Sequence, residues 1–455
     1  MIAARLIDVA PPLAARLVGA DRAFRGVGTD TRTLQPGMLF VALRGERHDG
    51  HDHVAAAAER GAAGAVVERE LDTPLPQLVV LDTLAALGEL ARWQRAHLGA
   101  TVVALTGSNG KTTVKTLAAA ILSRVGATHV TEGNLNNEIG LPLTILRAPT
   151  TARFLVLEMG AGKPGDIAYL VRIGQPHVAL VNNVAPAHLE RMGSTDGVAE
   201  TKGAIYDGLP PGGIAVVNAD DAYAAAFERR IGARRVLRFG LEQPAEVGAR
   251  DLVLGASTRF TLVTPAGDAR VDLALPGRHN VRNALAAAAL ALAAGAPLAD
   301  IAAGLGSAQA VGGRLMRIAV PGAGVVIDDS YNANPGSVRA AIDTLALEPG
   351  ERWLVLGNMG ELGPEAPRLH AEVGAHARAA GIQRLYAVGA LAREAARAFG
   401  GAAQAFDTQE AAIEALRRDF RAGITLLVKG SRSSAMERVV AALAGRAAGG
   451  HSHAA

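Results

Sequence analysis

The chain has 455 residues, 49% hydrophobic and 20% charged, which suits about three domains of roughly 150 residues each better than a single core. It contains no cysteine, which excludes disulfides, thiolate metal sites and cysteine nucleophiles and fits a reducing cytoplasm. Its 46 basic side chains barely exceed its 43 acidic ones and aromatics make up only 4%, so no nucleic-acid-binding surface is expected.

At the N-terminal end Arg5, Asp8 and Arg16 interrupt the apolar stretch, and no unbroken apolar run approaches the ~20 residues of a membrane span. The expected protein is cytoplasmic, without integral membrane association. Short β-branched runs then alternate with Ala/Leu-rich helical stretches. They are GAVV (64–67), LVVL (78–81), TVVALTG (101–107), FLVLEMG (154–160), HVALVNNV (177–184), GIAVVNAD (213–220), VVIDDS (325–330), RWLVLGNMG (352–360) and ITLLVKGS (424–431). Apolar strands of this kind, separated by helices, predict an α/β fold with mostly parallel sheets buried on both faces. Ligands in such sheets bind beyond the carboxyl ends of the strands. Domain boundaries are expected near residues 98 and 314, giving domains 1–98, 99–314 and 315–455. The stretch 252–275 alternates around a Pro-Ala-Gly-Asp turn and predicts an antiparallel hairpin inserted in the middle domain. The Ala-rich run after Asn283 predicts a packed helix, and the terminal GGHSHAA a disordered tail.

The clearest chemical signal is TGSNGKTT, from Thr106 through Gly107, Ser108, Asn109, Gly110, Lys111 and Thr112 to Thr113, between a strand and a helix. Backbone N–H groups of such a loop close around phosphates, Lys111 reaches the terminal phosphates, and the Thr112 hydroxyl can hold Mg²⁺. The loop is shorter than the usual G-x-x-x-x-G-K-[ST], with Leu105 where the first glycine would stand. Glu158 ends one buried strand and His188 follows another, each a candidate metal ligand or a structural cap. Only five of the basic residues are lysine, namely Lys111, Lys115, Lys163, Lys202 and Lys429, so each marks a place where arginine was not used. Asn280 and Asn283, with His279 beside them, open a long helix; they either cap it or present paired donors and acceptors to a base edge. Arg314 stands at a domain junction from which it could reach a γ-phosphate. DDSYNANPGS (328–337), with Asp329, Tyr331 and Asn332, is either a strand-to-helix turn or a ligand contact. Lys429 marks a second candidate anion site.

Taken together, TDTRTLQPGMLFVALRGERHDGHDHV (29–54), TGSNGKTTVKT, EGNLNNEIGLPLT (132–144), LEMGAGKPGDIA, VNNVAPAHLERMGS, LPGRHNVRNALAAAA, IDDSYNANPGSVRAAID, LGNMGELG and LVKGSRSSAMERVV resemble, in order, the motifs of the Mur ligases. The resemblance covers nearly the whole chain and lies nearest the branch that adds D-alanyl-D-alanine. It implies three domains: an N-terminal UDP-substrate domain, a central P-loop ATPase domain with a mostly parallel sheet, and a C-terminal Rossmann-like domain. It also implies an ATP-dependent amide ligase that joins D-Ala-D-Ala to UDP-MurNAc-tripeptide through an acyl phosphate, with ATP and Mg²⁺, as a monomer. By motif position Lys202 matches the family's carbamylated lysine, and Thr112, Glu158 and His188 match its metal positions. Asn280 and Asn283 match adenine-site residues, and Arg314 and Asp329 lie on the phosphate and ribose side. Thr29, Asp30, Thr31 and Arg32, with Asn134, Asn136 and Asn137, match regions lining the UDP-sugar site. Asn358 departs from the family's usual Asp. The competing functions are a sister ligase adding the third amino acid, which shares the PGMLFVAL block but typically carries Asp-Tyr-Ala-His-Thr-Pro in place of DDSYNANP, and a nucleotide-gated binding protein without catalysis.

Overall fold

The computed structural model describes residues 1–45, 48–186 and 189–445; the expected tail at 449–455 lies outside the described residues. Three units, each built on its own sheet, follow one another along the chain.

The first unit carries a five-stranded sheet in the order Arg16–Val18, Gln77–Val79, Gly64–Val67, Leu39–Val41, Val27–Gly28, parallel except for the first pair. Its last helix, Thr83–Ala96, starts at Asp82, whose carboxylate accepts the free N–H groups of Leu84 and Ala85.

The second unit is an all-parallel six-stranded sheet ordered Arg235–Phe239, Ile214–Asn218, Val178–Val181, Thr101–Thr106, Phe154–Glu158, Thr128–Val130. Its strands read as unbroken apolar runs because both faces are covered. Val102, Ala104, Leu155 and Leu157 pack into a core shared with the first unit. Val103, Leu105, Phe154 and Val156 pack on the opposite side, against helices Lys111–Val125 and Arg278–Ala293. From Ala284 to Ala291 the latter helix is fully buried, the small side chains allowing close approach all round. Among the described residues no helix is long and apolar enough to cross a membrane.

The insertion differs from the expected hairpin. It is a three-stranded antiparallel meander, Gly248–Leu254, Thr258–Thr264 and Gly267–Leu273. The predicted turn joins the last two strands. The first strand is irregular, with its register shifted between Arg250 and Val253 and Asp251 at φ +58°, so the period-two alternation that marks a strand is broken there.

The third unit has six strands ordered Met316–Ala319, Val325–Asp329, Ile424–Lys429, Glu351–Gly357, Arg384–Val388, Ala403–Phe406, parallel except for the first. Asn358, the departure from the family pattern, serves as a structural acceptor here. Its side-chain oxygen takes the N–H of Ala392, 3.0 Å away, at the start of helix Ala392–Phe399, which follows the neighbouring strand Arg384–Val388.

Candidate active site

A cleft of about 1310 Å³ opens where the strand ends of the second unit face the third, with a wall from the helix that begins at Thr83. The TGSNGKTT loop, the candidate phosphate loop, forms its floor. Gly110 takes φ +76° immediately before helix Lys111–Val125. A Cβ there would stand 2.3 Å from Asn283 Oδ1, so only glycine fits. No side chain caps this helix, which leaves its first N–H groups and the positive end of its dipole facing the cleft. The strand below runs on through Leu105 and Thr106, both fully buried, so the loop begins at Gly107 and is short.

The neighbouring strand end holds the loop in place. Asn183 pairs with the Asn109 main chain in both directions, its Oδ1 accepting the N–H at 2.8 Å and its Nδ2 donating to the carbonyl at 3.1 Å. Asn182 Nδ2 donates to the same carbonyl at 2.9 Å and to Asn283 Oδ1 at 3.2 Å. Ser108 Oγ donates to the Ala185 carbonyl at 3.0 Å.

Four charged groups converge behind the loop. Lys111 Nζ donates to the Gly107 carbonyl at 2.8 Å. Burial pulls the Lys111 pKa below the usual lysine value, opposed by Glu158 and assisted by Arg314. Glu158 ends its strand with both oxygens engaged. Oε1 accepts from Asn136 Nδ2 at 2.7 Å, and Oε2 accepts from the Thr112 hydroxyl at 3.0 Å and lies 3.3 Å from Lys115 Nζ. Burial alone would raise its pKa, but Lys115, Lys111, the Asn136 bond and Arg314 outweigh that and hold it below the ordinary carboxylate value. From the junction that leads into the third unit, Arg314 Nη2 donates to the Thr112 hydroxyl at 2.9 Å, while its guanidinium lies 4.5 Å from the centre of the Tyr331 ring.

Lys202, on helix Thr195–Gly203, is 1% exposed and is not among the residues lining the cleft. Burial, with the Lys111 charge nearby, lowers its pKa to about 7. His188 lies outside the described residues. Among the described residues no three His, Cys, Asp or Glu side chains gather as a metal cage. A Mg²⁺ bound mainly through phosphate oxygens and water needs only one or two protein oxygens, and the Thr112–Glu158 pair fits that requirement.

Asn280 and Asn283 line the cleft but do not cap their helix: Asn280 Nδ2 donates to the Pro276 carbonyl at 2.8 Å and Asn283 Nδ2 to Asn280 Oδ1 at 3.1 Å. Beside them burial pushes the His279 imidazole down to about 4, with Lys429 and Arg282 adding to the shift. Asp329 and Lys429 are register partners on adjacent strands, and Lys429 Nζ lies 2.5 Å from Asp329 Oδ2 and 2.9 Å from the Asn332 carbonyl. Much of the Lys429 ammonium is therefore already satisfied inside the protein.

Of the residues singled out from the sequence, Ser108 to Thr113, Asn134, Asn136, Asn137, Glu158, Asn280, Asn283, Arg314, Asp329, Tyr331, Asn332 and Lys429 all face this cleft. Thr106 does not: it is fully buried, and its Oγ1 has no partner among the described residues. Gly107 serves as the carbonyl acceptor for Lys111. Thr29, Asp30, Thr31 and Arg32 are not brought to the cleft; they form a separate half-buried turn in which the exposed Arg32 pairs through Nη2 with Asp30 at 2.7 Å. Residues given no role from sequence are Lys115, Asn182, Asn183 and Asn334. The scarcity of lysine was the one signal that pointed to Lys115.

Family models match the chain in three consecutive stretches: Mur ligase family, catalytic domain, at residues 23–95; Mur ligase middle domain at 105–291; and Mur ligase, glutamate ligase domain, at 313–432. The chain belongs to the Mur ligase family. It is 48% identical to the UDP-N-acetylmuramoyl-tripeptide–D-alanyl-D-alanine ligase of Escherichia coli K12 over 97% of this chain and 99% of that one. Its fold is similar to MurF from Acinetobacter baumannii, with a TM-score of 0.92 and 36% identity over 97% of this chain and 98% of that one. MurF ligase from Thermotoga maritima in complex with ADP is similar too, with a TM-score of 0.83 and 29% identity over 92% of this chain and 97% of that one.

Proposed function

We propose that the protein joins the amine of D-alanyl-D-alanine to the terminal carboxylate of UDP-MurNAc-tripeptide, cleaving ATP to ADP and phosphate and forming the pentapeptide precursor of peptidoglycan. The observation that carries this is the convergence of Lys111, Thr112, Glu158 and Arg314 at the head of an uncapped helix, in a chain whose relatives bear that name.

A carboxylate is a poor acyl donor because its oxygen does not leave. Transfer of the ATP γ-phosphoryl to that oxygen makes an acyl phosphate and releases ADP. The dipeptide amine then adds to the carbonyl carbon, loses a proton, and the tetrahedral adduct collapses by expelling phosphate. The chain's own share is positioning and charge neutralisation. Loop N–H groups hold the β- and γ-phosphates, and Lys111 and Arg314 offset the repulsion between the triphosphate and the incoming carboxylate. The second and third units contribute opposite sides, so their closure assembles the site.

Thr112 and Glu158 are the residues that would hold Mg²⁺, with His188 and Lys202 completing the set by family position. When bound, the ion neutralises phosphate charge. The Lys202 amine, with a pKa of about 7, is substantially neutral at physiological pH, the form that adds CO₂ to give a carbamate and a proton. The added oxygens give a buried lysine the ligand chemistry of a carboxylate. The protein acts as a monomer, and a reaction that consumes ATP and a UDP-linked substrate fits the cytoplasm.

The test is phosphate release with Mg²⁺ and ATP, omitting UDP-MurNAc-tripeptide and D-Ala-D-Ala in turn, with the product weighed by mass spectrometry. Release that needs both substrates and yields the pentapeptide supports the assignment. Release that ignores the dipeptide and responds to a free amino acid moves it to a sister ligase. Lys111→Ala should remove ligation with the fold intact.

A further inference from the structure

The phosphate loop also serves as a docking point for the third unit. Asn109 is one of two residues through which this happens, beside Thr112, whose hydroxyl accepts from Arg314. The Asn109 main chain is fixed by Asn182 and Asn183, so its position belongs to the second unit. Its side chain points the other way, and its Oδ1 accepts from Asn334 Nδ2 at 2.6 Å. Asn334 is equally fixed on its own side. It caps helix Pro335–Leu345, its Oδ1 accepting the Ser337 N–H at 2.9 Å while the Ser337 hydroxyl takes the Asn334 N–H at 3.0 Å. Gly336, two residues on, lies beside the same side chain: a Cβ there would meet Asn109 Nδ2 at 3.4 Å, an ordinary van der Waals contact.

We propose that the Asn109–Asn334 hydrogen bond is a latch that couples docking of the third unit to the state of the phosphate loop. Both partners are held rigidly by their own units, so the bond forms only when the units are docked, and little side-chain freedom remains to be lost when it forms. Asn109 belongs to the segment that wraps nucleotide phosphates, so nucleotide binding and docking are linked in both directions. The proposal rests on the assignment of TGSNGKTT as the nucleotide loop. Both asparagines act as positioning residues.

The absence of cysteine allows a clean measurement. Cysteines placed at the exposed positions Arg270 and Glu414, one in each unit, carry spin labels, and the distance distribution is recorded with and without ADP. Asn334→Ser keeps an oxygen for the helix cap but is too short to reach Asn109; Asn109→Ser cuts the latch from the other side. A neutral hydrogen bond contributes about 1 kcal/mol, so each variant should lower the ratio of docked to open molecules about fivefold. The double variant should lower it no further, because both changes remove the same bond. Unchanged distributions in the single variants, or full additivity in the double, would overturn the latch. Binding of a fluorescent ADP is followed in the same samples. Failure of the parent protein to bind it would sink the nucleotide assignment instead, while the latch is still read from the ADP-free distributions.

Discussion

Lys115 and Glu158 form a buried ion pair, 3.3 Å apart, directly behind the phosphate loop, with side chains only 5% and 3% exposed. Lys115 also donates to the Gly133 carbonyl at 3.0 Å, and Asn136 holds the other Glu158 oxygen, so the segment from Gly133 to Asn136 is fastened to the proposed metal ligand from two sides. Removing one member of such a pair leaves a desolvated charge short of a partner. Lys115→Met should therefore lower unfolding free energy by about 3 kcal/mol in urea titrations. Adding Glu158→Gln should recover part of that loss. A double variant as unstable as the sum of the singles would show that the two charges do not interact.

Gly110→Ala should act on both stability and nucleotide binding. The position takes φ +76°, and the new Cβ would press on Asn283 Oδ1. The strain corresponds to about 1–2 kcal/mol of unfolding free energy, or more if Asn283 cannot yield. Calorimetry with ADP should show affinity reduced by at least about tenfold, since a small shift of the loop misdirects its N–H groups. Normal affinity would mean that the loop adjusts freely.

Arg314 is held between the Tyr331 ring and the Thr112 hydroxyl. Lysine has a compact ammonium in place of a planar fork and cannot satisfy both contacts in the same way. Arg314→Lys should reduce kcat for phosphate release by at least about tenfold while ADP affinity changes less, the pattern of a contact made chiefly during transfer. Equal losses in both quantities would place Arg314 in ground-state binding.

The Lys202 amine sets a pH dependence of stability. Its pKa is lowered from 10.5 to about 7 in the folded protein. Below pH 7 it is charged in both states and the burial penalty is complete. Between pH 7 and 10.5 it is neutral when folded but still protonated when unfolded, so the unfolded chain binds more protons and stability from this group rises with pH. In CO₂-free buffer, the parent protein should gain about 1.4 kcal/mol per pH unit over that window relative to Lys202→Met. Parallel curves for the two proteins would mean the lysine stays charged. In activity assays, Lys202→Ala should be partly restored by short-chain carboxylic acids if a carbamate is required.

The long sheet strands were legible in the sequence because both their faces are buried. Thr101–Thr106 and Phe154–Glu158 read as continuous apolar runs for that reason. Strands of two or three residues, such as Ala23–Arg25 and Val27–Gly28, carry too few side chains to show a period. The strand–loop–helix turn from Thr106 to Lys111 was visible since its requirements are local: a strand, glycines at fixed places, then a helix. Asn182, Asn183 and Asn334 were not, because their roles arise only when distant segments meet, and asparagine in a turn has an ordinary local explanation. The placement of Thr29 to Arg32 away from the cleft likewise depends on how the first unit packs, which no local motif encodes.

The distribution of lysines has a chemical consequence. Lys115, Lys202 and Lys429 are between 1% and 4% exposed, Lys111 is half-buried in the cleft, and Lys163 is exposed at its rim. The remaining surface cations are guanidinium groups, which mild acylating agents leave untouched. Apart from the chain terminus, such a reagent therefore meets a molecule with almost no background. Mass mapping of Lys111 and Lys163 would then give a two-point footprint of cleft occupancy, from floor and rim, with the chain-terminal amine, which lies away from the cleft, serving as an internal standard.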